Sequence, residues 1–325
     1  MYPFTFAKAH DEKAALAAGA AGARYIAGGT TLVDLMRETV ERPGAVIDIN
    51  ALPYREIDLR PDRLRVGALV RMADLATDPD VRRTYPLVVE ALERSASPQL
   101  RNMASIGGNL MQRPRCLYFR DVTAACNRRT PGTGCAARGG LNRTHAILGG
   151  SDHCVATHPS DLAVALVALD AVVITRDAGA ERRIPVAGFF RRPGDSPDVE
   201  HDLRPGELIV AVEIPSGPWL RRSGYRKVRD RQSYEFALAS AAVALDITDG
   251  VVAAARVAVG GVATVPWRLP TVENALIGRH VRPELWPAAA VSAADGAQPL
   301  SGNGFKVELL RRTVARQLAT VAALP

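Results

Sequence analysis

Long apolar runs are missing from this chain, and their absence argues against a membrane-spanning helix. The longest run, LAVALVAL, extends from Leu162 to Leu169 and has an aspartate on each side, whereas a span needs about 18 apolar residues or more. The N-terminal stretch also lacks the basic region of a secretory signal, because the charged residues DEK precede its alanine-rich segment. We therefore expect no membrane span and no signal peptide, so that the chain alone would stay in the cytoplasm.

Aromatic residues are scarce, and charge of one sign is not concentrated in any run. Aromatic residues make up 5% of the 325 positions, beside 47% hydrophobic and 23% charged residues. This near-average composition excludes disorder, collagen and coiled coil. The net charge is +7, but the basic residues are scattered among acidic ones, which disfavours nucleic-acid binding. The excess of basic residues indicates a solvated basic surface. The more specific alternative is a docking face for an acidic partner.

The length predicts about two or three domains, and local patterns indicate where the first elements lie. DEKAALAAGA predicts a helix that starts near Asp11, and ARYIAGGTTLVDLMRE predicts a strand, a glycine turn and a helix. AVIDIN predicts a second strand, which completes a small α/β unit. IDLRPDRLRVGALV then predicts two strands around the Pro61–Asp62 turn, and MADLATDPDVRRTYPLVVEALERSA predicts helix.

A loop-rich interval from about Ser97 to Pro159 separates these elements from the next ones. An interval of this length without regular structure is usually functional. SDLAVALVALDAVVITRD predicts a helix and a strand, and GELIVAVEIP predicts a further strand. YEFALASAAVALDITDGVVAAARVAVGGV predicts a hairpin around the Asp249–Gly250 turn, followed by a helical tail. We expect a domain boundary between about Ile214 and Gly224.

Two glycine pairs occupy similar contexts. In YIAGGTTL, Gly28 and Gly29 follow a predicted strand and precede a predicted helix, and ASIGGNLM contains Gly107 and Gly108. Glycines there let backbone N–H groups approach an anion, and a helix N-terminus adds partial positive charge. The Rossmann and Walker patterns are absent. Either pair alone is more typical of a tight turn, but together they predict a clasp for a pyrophosphate.

The few cysteines are concentrated in the loop-rich interval. They are Cys116, Cys126, Cys135 and Cys154, with the spacing C-x9-C-x8-C-x18-C. A long chain without a signal peptide has little need of disulfides, and structural zinc usually shows a close C-x2-C pair. Wide spacing with intervening glycines suits a [4Fe–4S] cluster with thiolates from separate loops. Spacing alone leaves this cluster only slightly ahead of zinc.

Charged and histidine side chains surround the cysteines in sequence. Arginines at positions 128, 129 and 138 would offset thiolate and cluster charge. Three nearby histidines, His145, His153 and His158, are candidate competing ligands. Each histidine, taken individually, is more typical of a hydrogen-bonding loop residue than of a metal ligand.

Five motifs in order carry a resemblance that spans nearly the whole chain: AGGTTL, ASIGGN, CNRRTPGTGC, LNRTHAILGGSDHCVATHPSDLAVAL and GYRKVRDRQSYEFALAS. Together they resemble the FAD-binding medium subunit of the xanthine dehydrogenase and carbon monoxide dehydrogenase family of molybdenum hydroxylases. Within that family the chain is most similar to the flavin subunit of periplasmic aldehyde oxidoreductases, whose cysteine insertion carries an additional [4Fe–4S] cluster.

The resemblance implies an α+β fold. It consists of a two-subdomain FAD-binding fold of the PCMH / vanillyl-alcohol oxidase type and a C-terminal α/β domain of the CO dehydrogenase flavoprotein type. The implied FAD-binding subdomains are residues 1–55 and 56–215, with the cysteine-rich insertion at about 112–158. The implied C-terminal domain covers 220–325.

The resemblance also implies which residues bind the cofactors. The FAD-binding set is Ile26, Ala27, Gly28, Gly29, Thr30, Thr31, Leu32, Ser105, Gly108, Asn109, Ser160, Asp161, Ile209 and Lys227. Ser160 and Asp161 would lie against the dinucleotide, although a helix N-cap is the alternative for this pair. Lys227 would stabilise negative charge on the reduced flavin, whereas outside this motif a surface lysine would be expected. Tyr225 and Arg226 are weaker candidates. The implied cluster ligands are the four cysteines.

The implied function is electron transfer within a complex. A large partner subunit with a molybdenum–pterin cofactor would oxidise an aldehyde, and a small partner with two [2Fe–2S] clusters would relay electrons to FAD in this chain. The complex would be a heterotrimer or a dimer of heterotrimers, exported to the periplasm with a signal-bearing partner, or cytoplasmic if not exported. The alternatives are a self-contained flavin oxidoreductase, which needs a general base beside the flavin, and a zinc-stabilised binding module.

Overall fold

The N-terminal region is a small parallel α/β unit. The computed structural model describes residues 1–325. Its first elements are β1 (Thr5–Lys8), α1 (Glu12–Ala20), β2 (Arg24–Ile26), α2 (Leu32–Arg37) and β3 (Ala45–Asp48). The sheet has the order β1–β3–β2 with parallel pairs. Asp11 caps α1, as its predicted start requires, because its carboxylate accepts a hydrogen bond from Ala14 N at 2.7 Å. The fully exposed β1 was not predicted.

The second sheet is antiparallel and has five strands. They are β4 (Ile57–Leu59), β5 (Arg63–Gly67), β6 (Val172–Arg176), β7 (Glu181–Pro185) and β8 (Leu208–Pro215), in the order β4–β5–β8–β6–β7. The predicted strands around Pro61–Asp62 are β4 and β5, and the predicted strand GELIVAVEIP is β8. Seven successive residues of β8 are buried, which explains its continuous apolar sequence at the centre of the sheet.

Eight helices accompany this sheet. They are α3 (Met72–Thr77), α4 (Pro79–Thr84), α5 (Pro86–Glu93), α6 (Pro98–Arg101), α7 (Ile106–Leu110), α8 (Leu117–Arg120), α9 (Asp161–Ala168) and α10 (Val186–Phe189). The single helical segment predicted after β5 is three helices, because Pro79 and Pro86 each start a new one. The predicted loop-rich interval from about Ser97 to Pro159 is wrong in its first part, which contains the short helices α6, α7 and α8; between α8 and α9 there is no helix or strand.

The C-terminal region combines an antiparallel sheet with helices. Its strands are β9 (Arg222–Val228), β10 (Ala239–Thr248), β11 (Val251–Gly260) and β12 (Trp267–Arg268), in the order β12–β11–β10–β9. Its helices are α11 (Pro270–Leu276), α12 (Leu285–Ala290) and α13 (Phe305–Ala322), with short 3-10 turns at Pro218–Leu220 and Val291–Ala294. The predicted hairpin is β10–β11, and Asp249 and Gly250 both have positive φ, as a type I′ turn requires.

The C-terminal sheet is buried on both faces. Ala242 and Ala244 of β10 belong to the core formed with α5 and α9, whereas Ala241 and Val243 belong to the core formed with α13. Because side chains alternate across a strand, this arrangement requires apolar residues at every position from Ala241 to Leu245. The second and third sheets are therefore joined through one continuous core. No helix has the length and apolar content that a membrane crossing would require.

A buried lysine connects α13 to the segment that follows the cysteine loop. The side chain of Lys306 is fully buried. Its Nζ donates to three carbonyl oxygens, Thr144 O at 2.9 Å, His145 O at 3.0 Å and Gly261 O at 2.7 Å. Since buried carbonyl groups need donors, Lys306 holds the end of β11 and the 144–145 segment against the start of α13.

Lys306→Met is expected to lower the free energy of unfolding by about 3 kcal/mol, because three carbonyl groups each lose a hydrogen bond from a buried ammonium group. The matched control is Arg312→Met on the same helix, whose side chain is 77% exposed; this change should alter stability by less than about 0.5 kcal/mol. Urea unfolding followed by far-UV circular dichroism measures both variants. Equal urea midpoints for Lys306→Met and Arg312→Met would contradict the role of Lys306 in holding these segments against α13.

Candidate functional site

Three adjoining cavities lie where the first sheet, the second sheet and the C-terminal sheet approach one another. Their volumes are about 440, 340 and 240 Å³, and we call them the first, second and third cavity. The first and second share Thr30, Thr31 and Gly108. The second and third share Asp161 and Arg115. The first two volumes lie within the range of small-molecule and cofactor sites, and their shared walls make one extended binding region.

The two glycine turns meet at the first cavity. A Cβ on Gly28 would lie 1.9 Å from Met103 O, just before the second turn. Gly29 has a φ of +69°, a conformation that glycine adopts readily. A Cβ on Gly107 would lie 2.9 Å from the Ala68 side chain. Glycine is therefore required here both for backbone conformation and for the close approach of the two segments.

All residues expected to bind the dinucleotide lie on the walls of these cavities. The first cavity is lined by Ile26, Ala27, Gly28, Gly29, Thr30, Thr31, Leu32, Ser105, Gly108 and Ile209. The second cavity adds Asn109, Asp161 and Lys227. Ser160 lines the third cavity. The fold thus brings together residues from five separate stretches of the sequence.

Asp161 is the centre of a buried hydrogen-bond network. Its Oδ1 accepts from the Tyr225 hydroxyl at 2.8 Å, and its Oδ2 accepts from Lys227 Nζ at 2.7 Å and Ser95 Oγ at 3.1 Å. The Lys227 side chain is 2% exposed, so it is not the surface lysine that the sequence alone would favour. Burial, and secondarily the Asp161 charge, raises the pKa of Tyr225 well above its usual value. Tyr225 therefore remains a neutral donor.

Ser160 serves as a helix cap and also makes a second contact. Its Oγ accepts from Ala163 N at 3.0 Å, which makes it the N-cap of α9. The same hydroxyl donates to Asn109 Oδ1 at 2.5 Å, next to the second glycine turn. Ser105 caps α7 in a similar way, because its Oγ accepts from Gly108 N at 3.1 Å. The caps thus fix the starts of both helices at the cavity walls.

The loop between Cys126 and Cys135 is an irregular hairpin. The two cysteines face each other in an antiparallel bridge. Asn127 N donates to Gly134 O at 2.7 Å, and Gly134 N donates to the Asn127 side chain at 2.7 Å. Gly134 has a φ of +97°, which a residue with a Cβ rarely adopts. The tight turn therefore places both thiols on one end of the loop.

The four thiols share one neighbourhood and form no disulfide. Burial is the main cause that raises the pKa of Cys116 to about 12; the charges of Cys126 and Cys154 act in the same direction, and hydrogen bonds from backbone N–H groups oppose it. Burial and the charge of Cys154 likewise raise the pKa of Cys135. Several backbone N–H groups point at the sulfurs, from Tyr118 and Phe119 to Cys116 and from Ala137, Arg138 and Val155 to Cys135. These backbone groups are therefore placed to donate hydrogen bonds to the sulfurs of Cys116 and Cys135.

The three histidines that were candidate metal ligands lie in different surroundings. Among the three candidate histidines, only His145 contacts a thiol, with Nε2 at 3.2 Å from Cys116 Sγ. His153 lies near the carboxylate of Asp195 at 3.5 Å, and His158 accepts from Ser160 N at 3.3 Å. No group of three or more Cys, His, Asp or Glu side chains is placed to hold a single metal ion.

Several residues of the site were not predicted. Arg113 and Glu41 line the first cavity, and Arg115 lines the second and third. Tyr225, a weaker candidate from sequence, is the donor to Asp161 described above. The signal that could have identified Arg113 and Arg115 is their position in QRPRC, directly between the second glycine turn and Cys116.

The combination of glycine turns, extended cavity and buried lysine defines the chain as a subunit that binds a dinucleotide cofactor. The family profile for the FAD-binding domain in molybdopterin dehydrogenase matches residues 1–217, and that for the CO dehydrogenase flavoprotein C-terminal domain matches residues 223–324. The chain belongs to this family of FAD-binding medium subunits, which confirms the family, fold class and enzyme class inferred from sequence.

Curated relatives match over nearly the whole length. The aldehyde oxidoreductase FAD-binding subunit PaoB of Escherichia coli is 45% identical, with 99% of each chain covered. The 6-hydroxypseudooxynicotine dehydrogenase complex subunit alpha of Paenarthrobacter nicotinovorans is 28% identical, covering 94% of this chain and 88% of the relative. The glyceraldehyde dehydrogenase medium chain of Sulfolobus acidocaldarius is 26% identical, covering 93% and 92%.

Solved structures share the fold. A chain of the carbon monoxide dehydrogenase from Hydrogenophaga pseudoflava superimposes with a TM-score of 0.77 at 24% identity, covering 99% of both chains. A chain of the CO dehydrogenase from Oligotropha carboxidovorans has a TM-score of 0.78 at 20% identity, covering 100% of both. At these identities the likeness concerns the fold.

Gly28→Ala is expected to lower the free energy of unfolding by at least about 2 kcal/mol, because the added methyl group would collide with the Met103 carbonyl. Gly44→Ala is the matched control, since a Cβ there meets nothing within 4 Å. Thermal unfolding measures both changes. An unchanged melting temperature in Gly28→Ala would show that the two turns do not depend on this close approach.

Proposed function

We propose that this chain is the FAD- and [4Fe–4S]-containing electron-transfer subunit of a molybdenum-dependent aldehyde oxidoreductase. The observation that carries the proposal is the adjacency of two sites: Arg115 lines the second cavity beside Lys227, and the next residue, Cys116, belongs to the four-thiol group. The extended cavity suits a dinucleotide, and the thiols suit a cluster. The aldehyde assignment rests on the relative at 45% identity, which is an aldehyde oxidoreductase subunit.

The dinucleotide would lie along the first two cavities. The turn at residues 26–32 and the α7 start, with Ser105, Gly108 and Asn109, would enclose the pyrophosphate, since backbone N–H groups and hydroxyls are suitable donors to phosphate oxygens. Ser160 and Asp161 would lie against the dinucleotide, and Ile209 would supply an apolar contact. When bound, FAD supplies a centre that accepts electrons singly and releases them as a pair.

Lys227 would stand beside the flavin ring. A cation there stabilises negative charge that develops on a reduced ring. Because Lys227 already pairs with Asp161 at 2.7 Å, its charge is partly balanced and its side chain is held in one position. Its contribution is therefore that of a fixed, partly neutralised charge and not of a mobile ammonium.

The cysteine site fits a cluster better than a single zinc ion. Cys116, Cys126, Cys135 and Cys154 supply four thiols without a disulfide, and backbone N–H groups face the sulfurs of Cys116 and Cys135. Sulfur-directed hydrogen bonds are a feature of iron–sulfur ligation. The cysteines lack the close C-x2-C pair that structural zinc sites usually show. Their wide spacing, with glycines between them, suits thiolates that come from separate loop segments, as a four-iron cube requires.

A self-contained flavin oxidoreductase is the alternative that needs a general base. No histidine lines the second cavity. Its carboxylates are Asp161, which already accepts three hydrogen bonds, Asp34, which pairs with Arg115 at 3.2 Å, and Glu235, whose Oε1 accepts from Phe236 N at 2.9 Å. These contacts favour an electron-transfer subunit whose substrate chemistry takes place in another chain.

The remaining parts of the proposal concern organisation. The chain would comprise 1–55, 56–215 with the cysteine insertion at about 112–158, and 220–325. It would assemble with a large molybdenum-cofactor subunit and a small subunit with two [2Fe–2S] clusters, as a heterotrimer or a dimer of heterotrimers. Electrons would pass from those clusters through FAD to an external acceptor. Export to the periplasm would require a signal-bearing partner, and otherwise the complex would be cytoplasmic.

Cys126→Ser is expected to remove most of the iron from anaerobically purified protein, because one of four thiolate ligands is lost. Wild type should contain four irons and one FAD per chain. Iron analysis and the visible spectrum measure this, and FAD content is the internal control because Cys126 lines neither of the first two cavities. A variant that keeps four irons would refute the ligand assignment.

Lys227→Met is expected to shift the flavin reduction potential to a more negative value by roughly 30 mV, which corresponds to about 1.4 kcal/mol for a two-electron couple. The reason is the loss of positive charge beside the reduced ring. Lys13→Met, at an exposed position of α1, is the matched control and should leave the potential unchanged. A flavin potential in Lys227→Met equal to that of the control would contradict the placement of the ring beside Lys227.

A further inference from the structure

A buried chain of alternating charges connects the first cavity to the cysteine site. Arg113 pairs with Glu41 at 2.5 Å and with Glu200 at 2.7 Å. Glu200 pairs in turn with Arg128 at 3.2 Å. The exposed fractions of these four side chains lie between 4% and 19%. Ion pairs shielded from water in this way interact more strongly than surface pairs.

Arg128 is the last residue in this series of ion pairs, and it contacts a thiol. Its NH2 group lies 3.6 Å from Cys154 Sγ, while its NH1 group faces Glu200. The side chain is 4% exposed, so solvent does not screen its charge. A guanidinium group keeps its proton in proteins, and Glu200 lies beside it as a counter-charge. Arg128 is therefore a permanent cation with one edge directed at sulfur.

The carboxylate next to Arg128 is shared and so does not neutralise it fully. Glu200 accepts from Arg113 as well as from Arg128. Arg113 is held from the other side by Glu41 and lies over the ring of Phe119 at 4.6 Å. Because Glu200 pairs with two guanidinium groups, it balances only part of the positive charge of Arg128. The rest of that charge acts on the thiol of Cys154.

We propose that Arg128 is a positioning and tuning residue that raises the reduction potential of the four-cysteine site by donating to Cys154 Sγ, and that the Glu41–Arg113–Glu200 chain holds it there. This inference rests on the proposed iron–sulfur function. One-electron reduction adds negative charge to the site, and a fixed cation with an N–H donor at sulfur stabilises that charge. Because Glu41 and Arg113 also line the first cavity, one network supports both sites.

The test is a reductive titration with dithionite and redox mediators on the purified complex, followed by low-temperature EPR of the [4Fe–4S] signal. Arg128→Gln is expected to retain four irons and to shift the potential to more negative values. Glu200→Gln is expected to shift it to more positive values, because Arg128 loses its counter-charge. Arg128→Lys, which keeps the charge, should recover most of the potential. If Arg128 only maintained the structure, Arg128→Gln and Glu200→Gln would not be expected to shift the reduction potential in opposite directions.

Arg138→Gln is the control within the same segment, since Arg138 pairs with Asp152 and its side chain is 41% exposed. The reduction potential of the cluster in this variant should equal that of wild type. If Arg128→Gln does not fold, Glu200→Gln and Arg128→Lys carry the test. Unchanged potentials in the variants that fold, with four irons retained, overturn the inference alone. Wild type without iron overturns the proposed function itself, so the two failures are distinguishable.

Discussion

The buried carboxylate of Asp161 is the interaction on which the site depends. A carboxylate with so little exposure needs opposite charge and hydrogen bonds in place of its lost hydration. Its donors come from separate parts of the chain: Ser95 follows α5, while Tyr225 and Lys227 lie on β9. This single residue at the start of α9 therefore joins the second sheet's helices to the C-terminal sheet and fixes the wall between the second and third cavities.

The same connection would place the proposed flavin and the proposed cluster close together in a chain of this size. The segment from the second glycine turn to the first cysteine lines all three cavities in order, through Gly108, Arg115 and Cys116. A flavin bound along the first two cavities and a cluster held by the thiols would then share one short stretch of backbone. Cations at Lys227, Arg113 and Arg128 provide fixed positive charge along this path, which favours centres that become more negative on reduction.

The sequence predicted those parts of the structure that depend on local patterns. Asp11 at the start of α1, the Asp249–Gly250 turn and the buried strand β8 each have a signal within a few residues. The fully exposed β1 has no burial pattern and was missed. The Lys227–Asp161 pair and the Glu41–Arg113–Glu200–Arg128 chain join residues far apart in sequence, and only the folded chain brings them together. The resemblance to a family supplied the candidate site residues that local patterns could not.

The most direct test of the central claim, that flavin and cluster occupy adjoining halves of one site, is a crystal structure of the anaerobically purified complex with anomalous diffraction at the iron edge. The account predicts an iron peak enclosed by Cys116, Cys126, Cys135 and Cys154, and flavin density along the first two cavities with its ring at Lys227. An iron peak absent from these thiols, a disulfide between them, or flavin density outside the cavities would contradict it.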